Sequence, residues 1–133
     1  MPGVVIDTHA AVWYLLNDPR LSWKAGSALD ETTQSGHPIL IPSIVLVELI
    51  YLAEKSRIPA STHTRLRAAI EDPDGPYQLA PLDQEVADAV PAIDRRVVPD
   101  LPDRVIAATA LALKLPLVSR DRKICSSQIE TIW

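Results

Sequence analysis

Apolar residues along this chain fall in short runs cut by prolines, and strand-like runs alternate with longer helix-like ones. Val4-Val5-Ile6 is β-branched, too short for a helix, and predicts a buried strand ending at Asp7. Residues 10–16 follow as a helix stopped by Asn17-Asp18-Pro19, and residues 23–33 as a second helix. Residues 38–41 predict another buried strand. Pro42-Ser43 then opens a long helix over 43–55, with Ser43 as its N-cap. Further helices are predicted over 61–71, over 83–93 with an interruption near Pro91, and over 102–114. Tyr77 to Ala80 and residues 115–119 predict two more strands, and 129–133 a fifth.

Strands that alternate with helices require crossover connections, which are right-handed and build a parallel sheet covered on both faces. The expected fold is therefore α/β, with three α/β/α layers around a parallel sheet of about five strands. Ligands of such sheets bind beyond the carboxyl ends of the strands, where the strand order reverses. Asp7 and Asp121 each follow a predicted strand end, so both are expected on that rim.

Composition narrows the class. The 133 residues suit one domain over 1–133, and 47% apolar content suits a folded core. No apolar run reaches transmembrane length, and the start Met1-Pro2-Gly3-Val4 lacks a secretory signal pattern. Cys125 is the single cysteine, which excludes an internal disulfide and a cysteine-based zinc cage. A cytoplasmic location is expected. The net charge of -4 runs against nucleic-acid binding. Four acids, however, account for the whole excess, and two divalent cations would cancel it.

Those four are Asp7, Glu48, Asp103 and Asp121. Asp7 suits either a helix N-cap or a metal ligand at a strand end. Glu48 lies within Ile44-Val45-Leu46-Val47-Glu48-Leu49-Ile50-Tyr51-Leu52, a helix apolar on all sides and so expected to be buried. A carboxylate there needs an arginine partner or a cation. Asp103 stands at a helix start, where capping alone would favour it, and Asp100 one turn earlier competes for the role. Asp121 follows Leu117-Val118-Ser119-Arg120 and reads as either a turn residue or a ligand. Ser119 is placed to orient a neighbouring carboxylate. Carboxylate oxygens are hard ligands that suit Mg²⁺ or Mn²⁺, and crowded carboxylates gain from a bound cation.

Four ordered segments carry a family resemblance. They are Val4-Val5-Ile6-Asp7-Thr8-His9-Ala10-Ala11-Val12-Trp13, Ile41-Pro42-Ser43-Ile44-Val45-Leu46-Val47-Glu48-Leu49, Pro102-Asp103-Arg104-Val105-Ile106-Ala107-Ala108-Thr109-Ala110, and Leu115-Pro116-Leu117-Val118-Ser119-Arg120-Asp121. In this set the chain resembles the PIN-domain ribonucleases, and among them the VapC-type toxins of toxin–antitoxin pairs. The resemblance implies a five-stranded parallel sheet and a Mg²⁺-dependent endoribonuclease, with Mn²⁺ as a substitute ion. It carries the catalytic and metal-binding roles onto Asp7, Glu48, Asp103 and Asp121, with Ser119, Thr8 and Asp100 in support. It also implies a homodimer and a cognate antitoxin whose C-terminal segment blocks the pocket. One departure stands out: Asp100-Leu101-Pro102-Asp103-Arg104 replaces the Asp-Pro-x-Asp-Arg frequent in one subgroup, which leaves the role of Asp100 open.

Arg104, Arg120 and Arg122 flank the acids and are candidate RNA contacts, or else solvated surface charges; Lys123 is another flanking cation. Trp13 and Trp23 read as core or interface residues. His9 reads as a structural hydrogen-bonding residue, and His37 and His63 receive no role. Amidohydrolase chemistry would need a histidine at position 11, which is Ala11. An aspartyl-phosphate phosphatase would need an aspartate at position 9, which is His9. The remaining alternative is a non-catalytic RNA-binding or protein-interaction module on the same fold.

Overall fold

Val4–Ile6 is wholly buried and forms the middle strand of the sheet, β1. The computed structural model describes residues 2–125 and 128–133, with Cys125 described by its backbone alone. After β1 come α1 (Thr8–Leu15), α2 (Trp23–Gln34), β2 (Ile39–Pro42), α3 (Ser43–Glu54) and α4 (Thr62–Glu71). Then follow β3 (Tyr77–Ala80), α5 (Gln84–Ala89), a 3₁₀ turn (Val90–Ala92), α6 (Leu101–Leu113), β4 (Leu117–Val118), α7 (Arg122–Cys125) and β5 (Thr131–Ile132).

All strand pairings are parallel, in the order β3-β2-β1-β4-β5. The expected three-layer α/β/α fold with a five-stranded parallel sheet is the one observed. From β1 the chain builds outward to β2 and β3, then returns across the sheet to place β4 on the other side of β1. The order therefore reverses between β1 and β4, and a crevice opens beyond their carboxyl ends. Ile6 registers with Val118, and the Asp7 N–H donates to the Val118 carbonyl at 3.1 Å. Asp7 and the segment after Val118 thus leave the sheet side by side.

The core explains the short strands. β1, β2 and β4 have no exposed residue, as expected for parallel strands covered on both faces. Ala107 and Ala108 of α6 are fully buried, and their small side chains let that helix lie close to β1. α3, α4, α5 and α6 pack in a connected series, while α2 lies against β2 and β5. Among the described residues no helix is long and apolar enough to cross a membrane.

Several expectations need correction. Ser43 is not the N-cap of α3: that position is Pro42, which makes no side-chain cap bond. The Ser43 hydroxyl instead accepts the Leu82 N–H at 3.0 Å and ties α3 to the end of β3. The α3 helix is not buried all round, since Val47, Ile50 and Tyr51 are exposed. Its apolar side chains exceed what this chain's own core covers. Trp23 is 85% exposed at the start of α2 and belongs to no core, whereas Trp13 is buried. The short α7 was not anticipated, because four residues carry no readable helical period.

Gly3 has φ +116°, and a Cβ there would stand 2.6 Å from the Pro38 carbonyl oxygen. Gly3→Ala therefore strains the first β1–β2 contact twice, sterically and in its backbone. It should lower the unfolding free energy by about 1–3 kcal/mol, read as a shift of the urea midpoint at constant slope.

Candidate functional site

Each candidate carboxylate reaches the rim from a different element, and most are anchored by a local cap. Asp7 is the N-cap of α1, with Oδ1 accepting the Ala10 N–H at 3.0 Å. The capping role and the site role thus coexist in one side chain. Asp100 caps α6: its Oδ2 accepts the Asp103 N–H at 3.1 Å. That settles the local turn left open by the shifted proline. The helix starts at Leu101, Pro102 falls in the first turn where its missing N–H costs nothing, and Asp103 completes that turn. Asp121 precedes α7, and its Oδ1 accepts the Lys123 N–H at 2.9 Å.

Ser119 and Thr8 support this group as buried hydroxyls. Ser119 hydrogen-bonds the Asp7 carboxylate, and its Oγ accepts the Asp121 N–H at 3.0 Å. One hydroxyl thus links the acid after β1 to the acid after β4. Thr8 donates to Glu48 Oε1, joining α1 to α3. Glu48 is only half-buried and makes no ion pair among the described residues, so both the fully buried carboxylate and the buried arginine partner are overturned.

Burial and mutual repulsion set the electrostatics. Burial pushes the Asp7 carboxyl up, and the Asp121 charge adds to it, against the hydrogen bonds from Ser119 and the Ala10 N–H. Glu48 is raised by burial, then by Asp100 and Asp7, against the Thr8 hydrogen bond. Asp103 is pushed up to about 7, first by burial and then by Asp100, Asp121, Glu48 and Asp7. All four predicted acids and Asp100 therefore share one field. The three ion pairs among the described residues, Arg20–Asp18, Arg67–Glu71 and Arg96–Asp94, involve none of these five acids.

Two openings meet at Asp103. A groove of about 810 Å³ takes in Glu48, Asp100 and Asp103 and runs between α1 and α3. A smaller cavity of about 300 Å³ takes in Asp7, Asp103 and Asp121. His9 and Trp13 line both. His9 is exposed, and its ring centroid lies 5.7 Å from that of Trp13, a packing contact where a hydrogen bond was expected.

The predicted basic residues separate. Arg120 lines the smaller cavity. Arg104 is committed elsewhere: Nε and Nη2 donate to the Ile93 carbonyl at 3.1 and 2.9 Å, and Nη2 to the Val90 carbonyl at 3.1 Å. It staples the 3₁₀ turn to α6. Arg122 is exposed on α7 and lines neither opening. Reasoning along the chain missed Arg20, Lys55 and Arg57, which line the larger groove. They are adjacent to none of the candidate acids in sequence, and nothing local marks them.

The PIN domain profile matches residues 4–127. The chain belongs to the PIN-domain family. This PIN domain is 28% identical over 138 residues to Ribonuclease VapC22 of Mycobacterium tuberculosis, with both chains fully covered. It is also similar in fold to VapBC2 of Rickettsia felis bound to a promoter DNA fragment (TM-score 0.69, 18% identity, 98% and 99% of the two chains covered). A toxin–antitoxin complex from Klebsiella pneumoniae is similar at TM-score 0.64 and 20% identity, covering 98% and 96%. FitAcB of Neisseria gonorrhoeae is similar at TM-score 0.65 and 20% identity, covering 96% and 95%.

Among the described residues no group of three His, Cys, Asp or Glu side chains stands ready-made around an ion. The chemistry of the donor set nevertheless fits a hard divalent cation: carboxylate oxygens only, desolvated, mutually repelling and without a basic partner in an ion pair. Asp7 and Asp103 border the same cavity as Asp121 and would hold such an ion, with Glu48 in the adjoining groove that shares Asp103.

The raised Asp103 carboxyl has a signed consequence. The folded protein keeps a proton that the unfolded chain releases near 3.8, so its contribution is full below that pH and is lost as pH rises to about 7. In EDTA, the melting temperature of the wild type should fall relative to Asp103→Asn across that window and level off above it. Added Mg²⁺ should restore it, most strongly above the window. A second measurement concerns Arg104→Gln, which should destabilise the PIN domain by about 2 kcal/mol through the lost carbonyl bonds. Unchanged melting with weakened substrate binding would return Arg104 to the substrate side.

Proposed function

We propose that this chain is a metal-dependent endoribonuclease, one PIN domain over residues 1–133, that hydrolyses RNA phosphodiester bonds as the toxin of a toxin–antitoxin pair. The observation that carries this reading is the shared field of Asp7, Glu48, Asp103 and Asp121 at the β1–β4 switch point, with burial raising three of them. A protein does not gain stability by crowding desolvated carboxylates; the arrangement makes sense when a cation and a phosphate occupy it. The name of the Mycobacterium tuberculosis relative, a ribonuclease, supports the reaction. The similar solved structures that are toxin–antitoxin complexes support the partner. We assign the ion as Mg²⁺, replaceable by Mn²⁺, the assembly as a homodimer, and the setting as the cytoplasm.

In this mechanism the divalent ion supplies positive charge that acidifies an attacking water and stabilises the leaving oxygen. Asp7 and Asp103 would hold it. Thr8 fixes the Glu48 carboxylate, and Ser119 fixes Asp7 relative to Asp121. Asp103, whose carboxyl is pushed up to about 7, would be favoured in its ionised form beside a bound cation. The bordering acids can then accept the proton released by water at a carboxylate oxygen. An antitoxin segment lying across the rim would exclude RNA from the same space.

Purified protein free of any partner should cleave RNA in Mg²⁺ or Mn²⁺ and stop in EDTA. Asp7→Asn and Asp103→Asn should each lower the rate by roughly two orders of magnitude or more while far-UV circular dichroism stays native. Full activity in EDTA would overturn the metal mechanism. Growth arrest on expression, relieved by a small neighbouring gene, checks the toxin assignment.

A further inference from the structure

Trp13 is only 4% exposed, yet it forms part of the wall of both openings that meet at Asp103. Two arginines lie over its ring. The Arg20 guanidinium carbon is 5.3 Å from the ring centroid, and that of Arg120 is 5.0 Å. Arg20 arrives from the loop between α1 and α2, and Arg120 from the end of β4, one residue before Asp121. Arg20 lines the larger groove and Arg120 the smaller cavity. The indole is itself held in place by His9 and by Trp133, whose ring centroid is 5.8 Å away.

Two cations on one buried indole are more than surface packing requires. The ring quadrupole attracts each guanidinium, so one rigid group fixes the positions of both. Asp18 adds a second restraint on Arg20, accepting from Nε at 3.1 Å and from Nη2 at 2.8 Å. A guanidinium has five N–H donors in a planar fork, so further donors remain for a second anion. The Arg20 side chain is 65% exposed, and Arg120 is exposed too. Arg20 shares the larger groove with Glu48, Asp100 and Asp103, and Arg120 shares the smaller cavity with Asp7, Asp103 and Asp121.

We propose that Trp13 is a shared seat for two phosphate-binding arginines, Arg20 and Arg120, which grip single-stranded RNA, one in each of the two openings that meet at Asp103. This rests on the nuclease reading above. The need is electrostatic: a polyanion must approach a patch that repels it, and a fixed cation in each opening beside the acids offsets that repulsion without an ion pair to them. Lys55 and Arg57 continue the basic lining along the larger groove, so the longer arm of the RNA lies on the Arg20 side. Trp13 acts as a positioning residue, through the arginines and not by stacking a base, because its ring is already covered.

The test is fluorescence anisotropy with a short fluorescein-labelled single-stranded RNA, titrated in EDTA at several salt concentrations, followed by steady-state cleavage in Mg²⁺. Arg20→Gln and Arg120→Gln should each weaken binding about fivefold and flatten the plot of log K against log salt by about 0.7. In cleavage the loss should fall on KM far more than on kcat. Arg20→Lys should recover less than half of the lost affinity, since an ammonium keeps the charge but not the stacked plane. Trp13→Phe should weaken binding with both arginines present. The arginine variants do not touch the core, so they test the idea even if the Trp13 variant unfolds. Wild-type affinity and salt slope in both glutamine variants would overturn the seat while leaving the nuclease reading intact. Arginine-dependent binding without any cleavage in Mg²⁺ or Mn²⁺ would instead overturn the nuclease reading.

Discussion

Repulsion among desolvated carboxylates at one end of the sheet is the constraint on which the rest of this structure depends. Burial first, and then the charges of four other acids, push the Asp103 carboxyl up to about 7. The fold manages this in two ways. Hydroxyls and backbone N–H groups accept the task of holding the acids in place: Thr8 holds Glu48, Ser119 holds Asp7, and the Ala10 N–H faces Asp7 as well. Helix starts do the remainder. Asp7 sits before α1, Asp100 and Asp103 at the first turn of α6, and Asp121 before α7. The positive end of a helix dipole offsets part of the cost of each charge.

Capping and the placement of acids on the rim are therefore the same geometry seen at two scales. An aspartate that caps a helix leaving the carboxyl end of a strand is already aimed at the rim where a parallel sheet binds ligands. In Asp7 one carboxylate oxygen serves the cap, and the same carboxylate faces the cavity. Asp100 spends its carboxylate on the Asp103 N–H, which fixes the turn that presents Asp103. Its influence on the site is to orient Asp103 and to raise its proton affinity.

The basic residues follow a different logic. Arg104, adjacent to Asp103 in sequence, is absorbed by carbonyls of the 3₁₀ turn. Arg20, adjacent to none of the site acids in sequence, stands beside the groove because Trp13 and Asp18 hold it there. Adjacency along a helix places successive side chains on different faces, so being next to a site residue does not deliver a group to the site.

Much of this was legible before any coordinates. The proline-cut apolar runs determine short buried strands alternating with helices, and with them a parallel sheet whose rim carries Asp7 and Asp121. The identity of Asp103 as a helix-start acid was equally local, because capping chemistry is written in a few adjacent residues. Tertiary structure alone decided that β1 and β4 are neighbours, which puts Ser119 between Asp7 and Asp121. It alone decided that Glu48 is half-buried against Thr8, and that α3 leaves Val47, Ile50 and Tyr51 uncovered. It also took Arg104 out of the groove and brought Arg20 to it. The physical reason is range. Strand and cap signals act over one to four residues, whereas burial and side-chain pairing depend on segments as far apart in sequence as Asp7 and Ser119, which only packing brings together.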